Sequence, residues 1–129
     1  MGKLNKVLLI DDDDIVNSIN RVIIKHAKFA EDIVTFTSVN EAIRFLSEAG
    51  DDFPEVIFLD LNMPDMNGWD FMDEFLKLKN RGNTRVVMLT SSISAKDQER
   101  AASLKDITAF ISKPLSPELL ETIYDSHLA

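Results

Sequence analysis

The stretch Val56-Ile57-Phe58-Leu59-Asp60-Leu61-Asn62-Met63-Pro64-Asp65-Met66-Asn67-Gly68 decides how this chain folds. Four apolar residues without polar alternation read as a strand buried on both faces, as in a parallel sheet covered by helices. The run stops at Asp60. Pro64 then stiffens the following loop, and Gly68 is expected to give it freedom at positive φ. Outward from this stretch, a second apolar strand, Val7-Leu8-Leu9-Ile10, runs into Asp11-Asp12-Asp13-Asp14. Thr90 follows Val86-Val87-Met88-Leu89, and Lys113-Pro114 follows Ala109-Phe110-Ile111-Ser112. Carboxylates, a hydroxyl and an ammonium thus each stand at the carboxyl end of a strand.

Between the apolar runs lie segments of helical period, which predicts β-α units. Ile15, Ile19, Val22, Ile23 and His26 share one stripe of the first helix, with His26 expected at the edge of the core. A strand is predicted near residues 33–36. Ser38-Val39-Asn40-Glu41 then has the pattern of a capping box, with Val39, Ala42, Ile43 and Leu46 as the inner helix face. Gly50 is expected to stop that helix, and Asp51-Asp52 to form a solvated turn before Pro54. Met72, Phe75 and Leu76 mark a third helix, beginning near Trp69 and followed by a polar turn containing Gly82. Ser94 caps a fourth, with Asp97 in its first turn. Ser116-Pro117 opens a fifth that buries Leu120, Ile123 and Tyr124.

Five strands and five helices with right-handed crossovers predict an α/β, flavodoxin-like, doubly wound (βα)5 three-layer sandwich. Its parallel order 2-1-3-4-5 makes strands one and three neighbours at the switch point, where ligands bind. Residues 1–129 read as one domain without an output domain, and without linker, repeat or low-complexity tract.

A net charge of −8 disfavours binding to nucleic acid or anionic lipid. The absence of cysteine removes disulfides and thiolate metal sites. No apolar run approaches the roughly 20 residues needed to span a bilayer. Residues 1–6 carry no apolar signal core, and Lys6 stands where a myristoylation motif needs Ser or Thr. A cytoplasmic protein, a monomer or weak dimer, is the expectation.

Asp13 and Asp14 read as N-cap and first-turn acids of the first helix, and Asp65 and Asp70 as loop and first-turn residues. Taken alone, Asp11 and Asp12 serve equally well as further helix-start acids or as ligands, although a cap uses only one acid. Brought together with Asp60 they would repel one another unless a cation joined them. Mg²⁺ suits an all-oxygen site with room for water and a phosphate oxygen, and Mn²⁺ is an alternative. A carboxylate in line with a phosphoryl donor acts as nucleophile. Thr90 can donate a hydrogen bond to one phosphoryl oxygen, and Lys113 can pair with another.

On these residues the chain resembles a response-regulator receiver domain, similar to the chemotaxis-type single-domain (CheY-like) regulators, over essentially its whole length. The matching features are Asp11-Asp12, Asp60 with Met63-Pro64-Asp65-Met66-Asn67-Gly68, Thr90, and Phe110-Ile111-Ser112-Lys113-Pro114. The resemblance implies that Asp60 accepts phosphate from a phosphohistidine of a sensor histidine kinase or phosphotransfer protein. It makes Asp11, Asp12, Asp60 and the Asn62 backbone carbonyl the Mg²⁺ ligands. Thr90 becomes the switch hydroxyl, Phe110 the switch aromatic, Lys113 the phosphate's counter-ion, and an unnamed protein the downstream partner. Asn62 and Ser92 occupy positions that tune phosphoryl lifetime in that family.

The chain departs from the family pattern at Ser91, where Ala or Gly is usual, and at Ile107-Thr108, where Gly-Ala is frequent. The switch aromatic is Phe110 rather than Tyr, and the last helix lacks the basic residues of many DNA-binding regulators. The resulting expectation is a stoichiometric phosphoacceptor switch of a two-component or phosphorelay system, not an enzyme, that catalyses its own phosphorylation and dephosphorylation. The competing reading is an aspartate-nucleophile phosphatase of the haloacid-dehalogenase type. Such enzymes place a general-acid Asp two residues past the nucleophile, where this chain has Asn62, and their second acidic cluster comes late in the chain. A flavodoxin would need a phosphate loop where Asp11 to Asp14 would repel it.

Overall fold

The computed structural model describes residues 4–50, 52–63, 66–90 and 94–128. Its elements alternate as β1 (Leu4–Ile10), α1 (Asp14–His26), β2 (Ala30–Phe36), α2 (Val39–Ser47), β3 (Val56–Leu59) and α3 (Gly68–Phe75). They continue as β4 (Arg85–Thr90), α4 (Ala95–Ala102), β5 (Ile107–Ser112) and α5 (Pro117–Ile123), ending in a π-helical turn over Tyr124–Leu128. All strand pairings are parallel, in the order β2-β1-β3-β4-β5 expected of a flavodoxin-like sheet.

Strand alternation sorts the core into two layers. Leu8, Ile10, Ile57, Leu59, Val86 and Met88 pack with α2 and α3 on one face. Val7, Leu9, Val56, Phe58, Val87 and Leu89 pack with α1 and α5 on the other. Both faces are covered, so the central strands can be apolar throughout. Between Val86 and Val87 the β4–β5 register shifts: Val86 pairs with Ile107 and Val87 with Ala109, which leaves Thr108 as an extra residue.

Several local expectations change. Most of the apolar stripe of α1 faces solvent: Ile15, Ile19 and Val22 are 71%, 54% and 66% exposed, and His26 is exposed with them, while Ile23 alone of the stripe packs partly against the core. The buried face is offset by about one residue and carries Asn17, Asn20 and Ile24. Two asparagines occupy inward positions, so hydrophobic periodicity picks the wrong side. The second strand begins at Ala30, earlier than its apolar residues suggest, and α2 ends at Ser47, before Gly50. Gly50 is nevertheless left-handed, at φ +60°, where glycine is unstrained. Ser38 caps α2 through Glu41 N, but no return bond from the Glu41 side chain forms among the described residues. The complete capping box instead opens α3, where Asn67 accepts from Asp70 N and the Asp70 carboxylate accepts from Asn67 N. The expectations for Asp51, Pro64, Asp65, Ser91 and Ser92 lie outside the described residues.

Candidate phosphoacceptor and metal site

Each acid reaches the crevice because its strand ends there. Ile10 pairs with Leu59, so Asp11 and Asp60, the next residues, leave neighbouring strands side by side. Asp60 N donates to Ile10 O at 2.8 Å and Asp11 N to Phe36 O at 3.1 Å, which carries the ladder one residue past the strands. Asp11 and Asp60 are buried and Asp12 is exposed. One carboxylate oxygen from each lies within 4.8 Å of the others. Asp13 caps α1, accepting from Ile15 N and Val16 N, and Asp14 is in the first turn, so both take the helix-start roles read from the sequence.

Lys113 Nζ lies 2.7 Å from Asp11 Oδ2 and 3.5 Å from Asp60 Oδ1. Its backbone N–H donates to Thr90 O at 2.8 Å, tying the end of β5 to that of β4. Thr90 is fully buried, and the Asn62 side-chain amide donates to its hydroxyl at 3.1 Å. Phe110 is half-buried on β5 opposite Met88, packed on the α2–α3 side of the sheet. All the sequence-selected side chains except Phe110 therefore meet at one edge; Phe110 stands further back along its strand.

Burial, then the charge of Asp11, raises the Asp60 carboxyl above the usual carboxylate range. Asp12 adds to that rise, while Lys113 and the Asn62 N–H pull the other way. For Lys113 burial works against the charge, but the hydrogen bond and charge of Asp11, then those of Asp60, outweigh it and hold the ammonium above its ordinary value.

Gly68 is required for a different reason from the one its sequence context suggests. It is not at positive φ. It opens α3 against the acceptor loop, and a Cβ there would stand 3.0 Å from Leu61 Cα and 3.1 Å from Asp60 O. Its N–H donates to Leu61 O. Next to it, Trp69 Nε1 donates to Asp97, and the Arg100 guanidinium lies 4.4 Å from the Trp69 ring centroid, which joins α3 to α4. Sequence reasoning missed Asn17, whose amide donates to Asp11 O and Phe36 O. The available signal was its position with Asn20 and Ile24, three and seven residues on, along one helix face.

Carboxylates at the switch point of a doubly wound sheet, with a buried hydroxyl and an ammonium beside them, define an α/β signalling module of the phosphoacceptor class. The chain belongs to the response regulator receiver domain family, whose model matches residues 7–125. A two component response regulator from Cytophaga hutchinsonii superposes with a TM-score of 0.87 at 38% identity, covering 95% of this chain and 96% of that one. Chemotaxis protein CheY4 of Vibrio cholerae gives 0.80 at 26% identity, covering 95% and 98%. A sensor histidine kinase of Helicobacter pylori, CheAY, is 32% identical over 91% of this chain, which spans 14% of that kinase's length. This is a CheY-like receiver domain of two-component signalling, and the phosphatase reading finds no support. Among the described residues no helix is long and apolar enough to cross a membrane.

Proposed function

We propose that Asp60 is the residue that takes up the phosphoryl group, from the phosphohistidine of a sensor kinase or phosphotransfer protein. The observation that carries this reading is the convergence of the Asp11, Asp12 and Asp60 oxygens beside Lys113 at the edge of the sheet. In the transfer a new P–O bond forms at an Asp60 oxygen as the P–N bond breaks, and the imidazole nitrogen leaves with the electron pair.

The donor set fits Mg²⁺: it is all oxygen, it contains mutually repelling carboxylates, and exposed Asp12 leaves one side open. Asp11, Asp12, Asp60 and the Asn62 backbone carbonyl would hold the ion, with Mn²⁺ as a substitute. When bound, it offsets the negative charge of the acids and of the transferring group. Lys113 then exchanges Asp11 for a phosphoryl oxygen, and the Thr90 hydroxyl, which accepts from the Asn62 amide, donates its proton to another. Thr90 moving forward vacates space beside β5 that Phe110 fills, and the α4–β5–α5 face carries the change to a downstream protein. The reaction is self-limited, with one phosphoryl group taken up and later lost to water.

The exposed stripe of Ile15, Ile19 and Val22 starts one turn beyond Asp11 and forms an open apolar groove with Ser18 and Ile23. Because α1 follows directly on the acid loop and this groove reaches Asp14, we propose it as the docking surface for a helix of the phosphoryl donor, whose imidazole must reach Asp60. Acetyl phosphate with Mg²⁺ should add one base-labile phosphoryl group per chain. Wild-type uptake by Asp60→Asn would refute the assignment.

A further inference from the structure

We propose that Asn17 is a positioning residue for the acid cluster, fixing the Asp11 peptide from inside the fold and holding one buried water with its remaining oxygen. The metal-related part rests on the reading of the cluster given above.

Asn17 is only 1% exposed, on the α1 face that packs against the sheet, where an apolar side chain would be the ordinary choice. Its Nδ2 donates to Asp11 O at 3.0 Å and to Phe36 O at 3.2 Å. These two carbonyls settle which way round the amide sits, since the flipped form would place oxygen against oxygen twice. The other polar atoms of Asp11 are engaged elsewhere: N with Phe36 O, Oδ1 with Asp13 N, and Oδ2 with Lys113. Asn17 therefore holds the carbonyl of the peptide that leads from Asp11 into Asp12, and with it the direction in which both acids leave β1. Ligand carboxylates need such support to keep their geometry when a cation binds and leaves.

The remaining oxygen, Asn17 Oδ1, is buried and has no hydrogen-bond partner among the described residues. Asn17 lines a cavity of about 10 Å³ together with Asp11, Asn20 and Asp60, backed by apolar side chains. That volume matches one water, and the polar lining supplies the partners that a buried water needs.

The test compares Asn17→Leu, close in volume but unable to donate, with Ile24→Val, a core change two turns along the same helix. In metal-free protein the Asp11 carbonyl-carbon resonance should move in the first variant and stay in the second. Calorimetry should show Mg²⁺ binding weakened about tenfold by Asn17→Leu and unchanged by Ile24→Val. Should Asn17→Leu not fold, Asn17→Ala, which likewise has no donor, carries the same comparison. An unmoved Asp11 carbonyl with Mg²⁺ affinity within about twofold of the parent would overturn the positioning role. If the parent itself bound no Mg²⁺, the metal reading would fail, while the carbonyl shift would still decide the role of Asn17. A high-resolution crystal structure should show a water at Asn17 Oδ1, and a dry cavity would overturn that part.

Discussion

Lys113 Nζ sits 2.7 Å from Asp11 Oδ2, so before any phosphoryl group arrives the ammonium is committed to a carboxylate of the acid cluster. It therefore competes with a cation for Asp11. Lys113→Ala should leave Mg²⁺ affinity unchanged or slightly tighter by calorimetry, while phosphorylation-dependent output falls. Metal-free stability should drop by about 1.5–3 kcal/mol for the lost charge-assisted hydrogen bond, and saturating Mg²⁺ should restore part of it. A large loss of Mg²⁺ affinity would make Lys113 structural instead.

The raised pKa of Asp60 has a stability consequence of fixed sign. A carboxyl that holds its proton more tightly folded than unfolded contributes stability that is present below its unfolded pKa and lost as pH rises through its folded pKa. Asp60→Asn cannot ionise, so without Mg²⁺ it should be more stable than the parent at neutral pH, and the gap should close on acidification. Denaturant midpoints across a pH series check this. A gap that widened towards acid would show the carboxylate to be net stabilised. Mg²⁺ affinity of the parent should weaken through the same pH window.

Gly68 and Gly50 should fail in different ways. Gly68→Ala drives a Cβ into the Asp60–Leu61 backbone, which should cost about 1–3 kcal/mol and slow acetyl phosphate uptake. Gly50→Ala meets no atom within 4 Å but takes a side chain to φ +60°, costing about 1 kcal/mol with uptake unchanged. Equal effects on uptake would remove the acceptor-loop contact as the reason for Gly68.

Ile19→Glu on the exposed face of α1 should change stability by no more than about 0.5 kcal/mol. Losing a side chain that a partner buries is worth about 1.5–3 kcal/mol, so transfer from a phosphohistidine donor should slow roughly tenfold to a hundredfold. Uptake from acetyl phosphate, which needs no docking, should persist. Unimpaired transfer from the protein donor would place docking elsewhere.

Beryllofluoride with Mg²⁺ should move both Thr90 and Phe110 resonances. A charge-assisted bond from Thr90 is worth about 1.5–3 kcal/mol and completing the burial of the already half-buried Phe110 at most about 1 kcal/mol, whereas swinging a population from 1:99 to 99:1 takes about 5.5 kcal/mol. An active-like minority should therefore be visible before phosphorylation. If Phe110 stays silent while Asp60 responds, the signal leaves by another surface.

Asp11, Asp12, Asp60, Thr90 and Lys113 were legible in the sequence because a buried parallel strand is a short apolar run, and whatever ends it emerges at the sheet edge. Alternating apolar runs and helical segments gave the doubly wound class, and the order 2-1-3-4-5 came with the flavodoxin-like fold rather than from crossover handedness, which fixes only the side on which each helix lies. Tertiary structure alone decided which face of α1 turns inward. Periodicity ranks side chains by hydrophobicity, but the inward face of α1 carries Asn17, whose amide donates to the Asp11 carbonyl and adds a second bond to that of Phe36, while the more apolar Ile15, Ile19 and Val22 face solvent. The role of Gly68 was hidden for a related reason. Its partners, Leu61 and the Asp60 carbonyl, come close only when α3 docks on the acceptor loop, and a steric limit between two segments leaves no periodic trace in the chain.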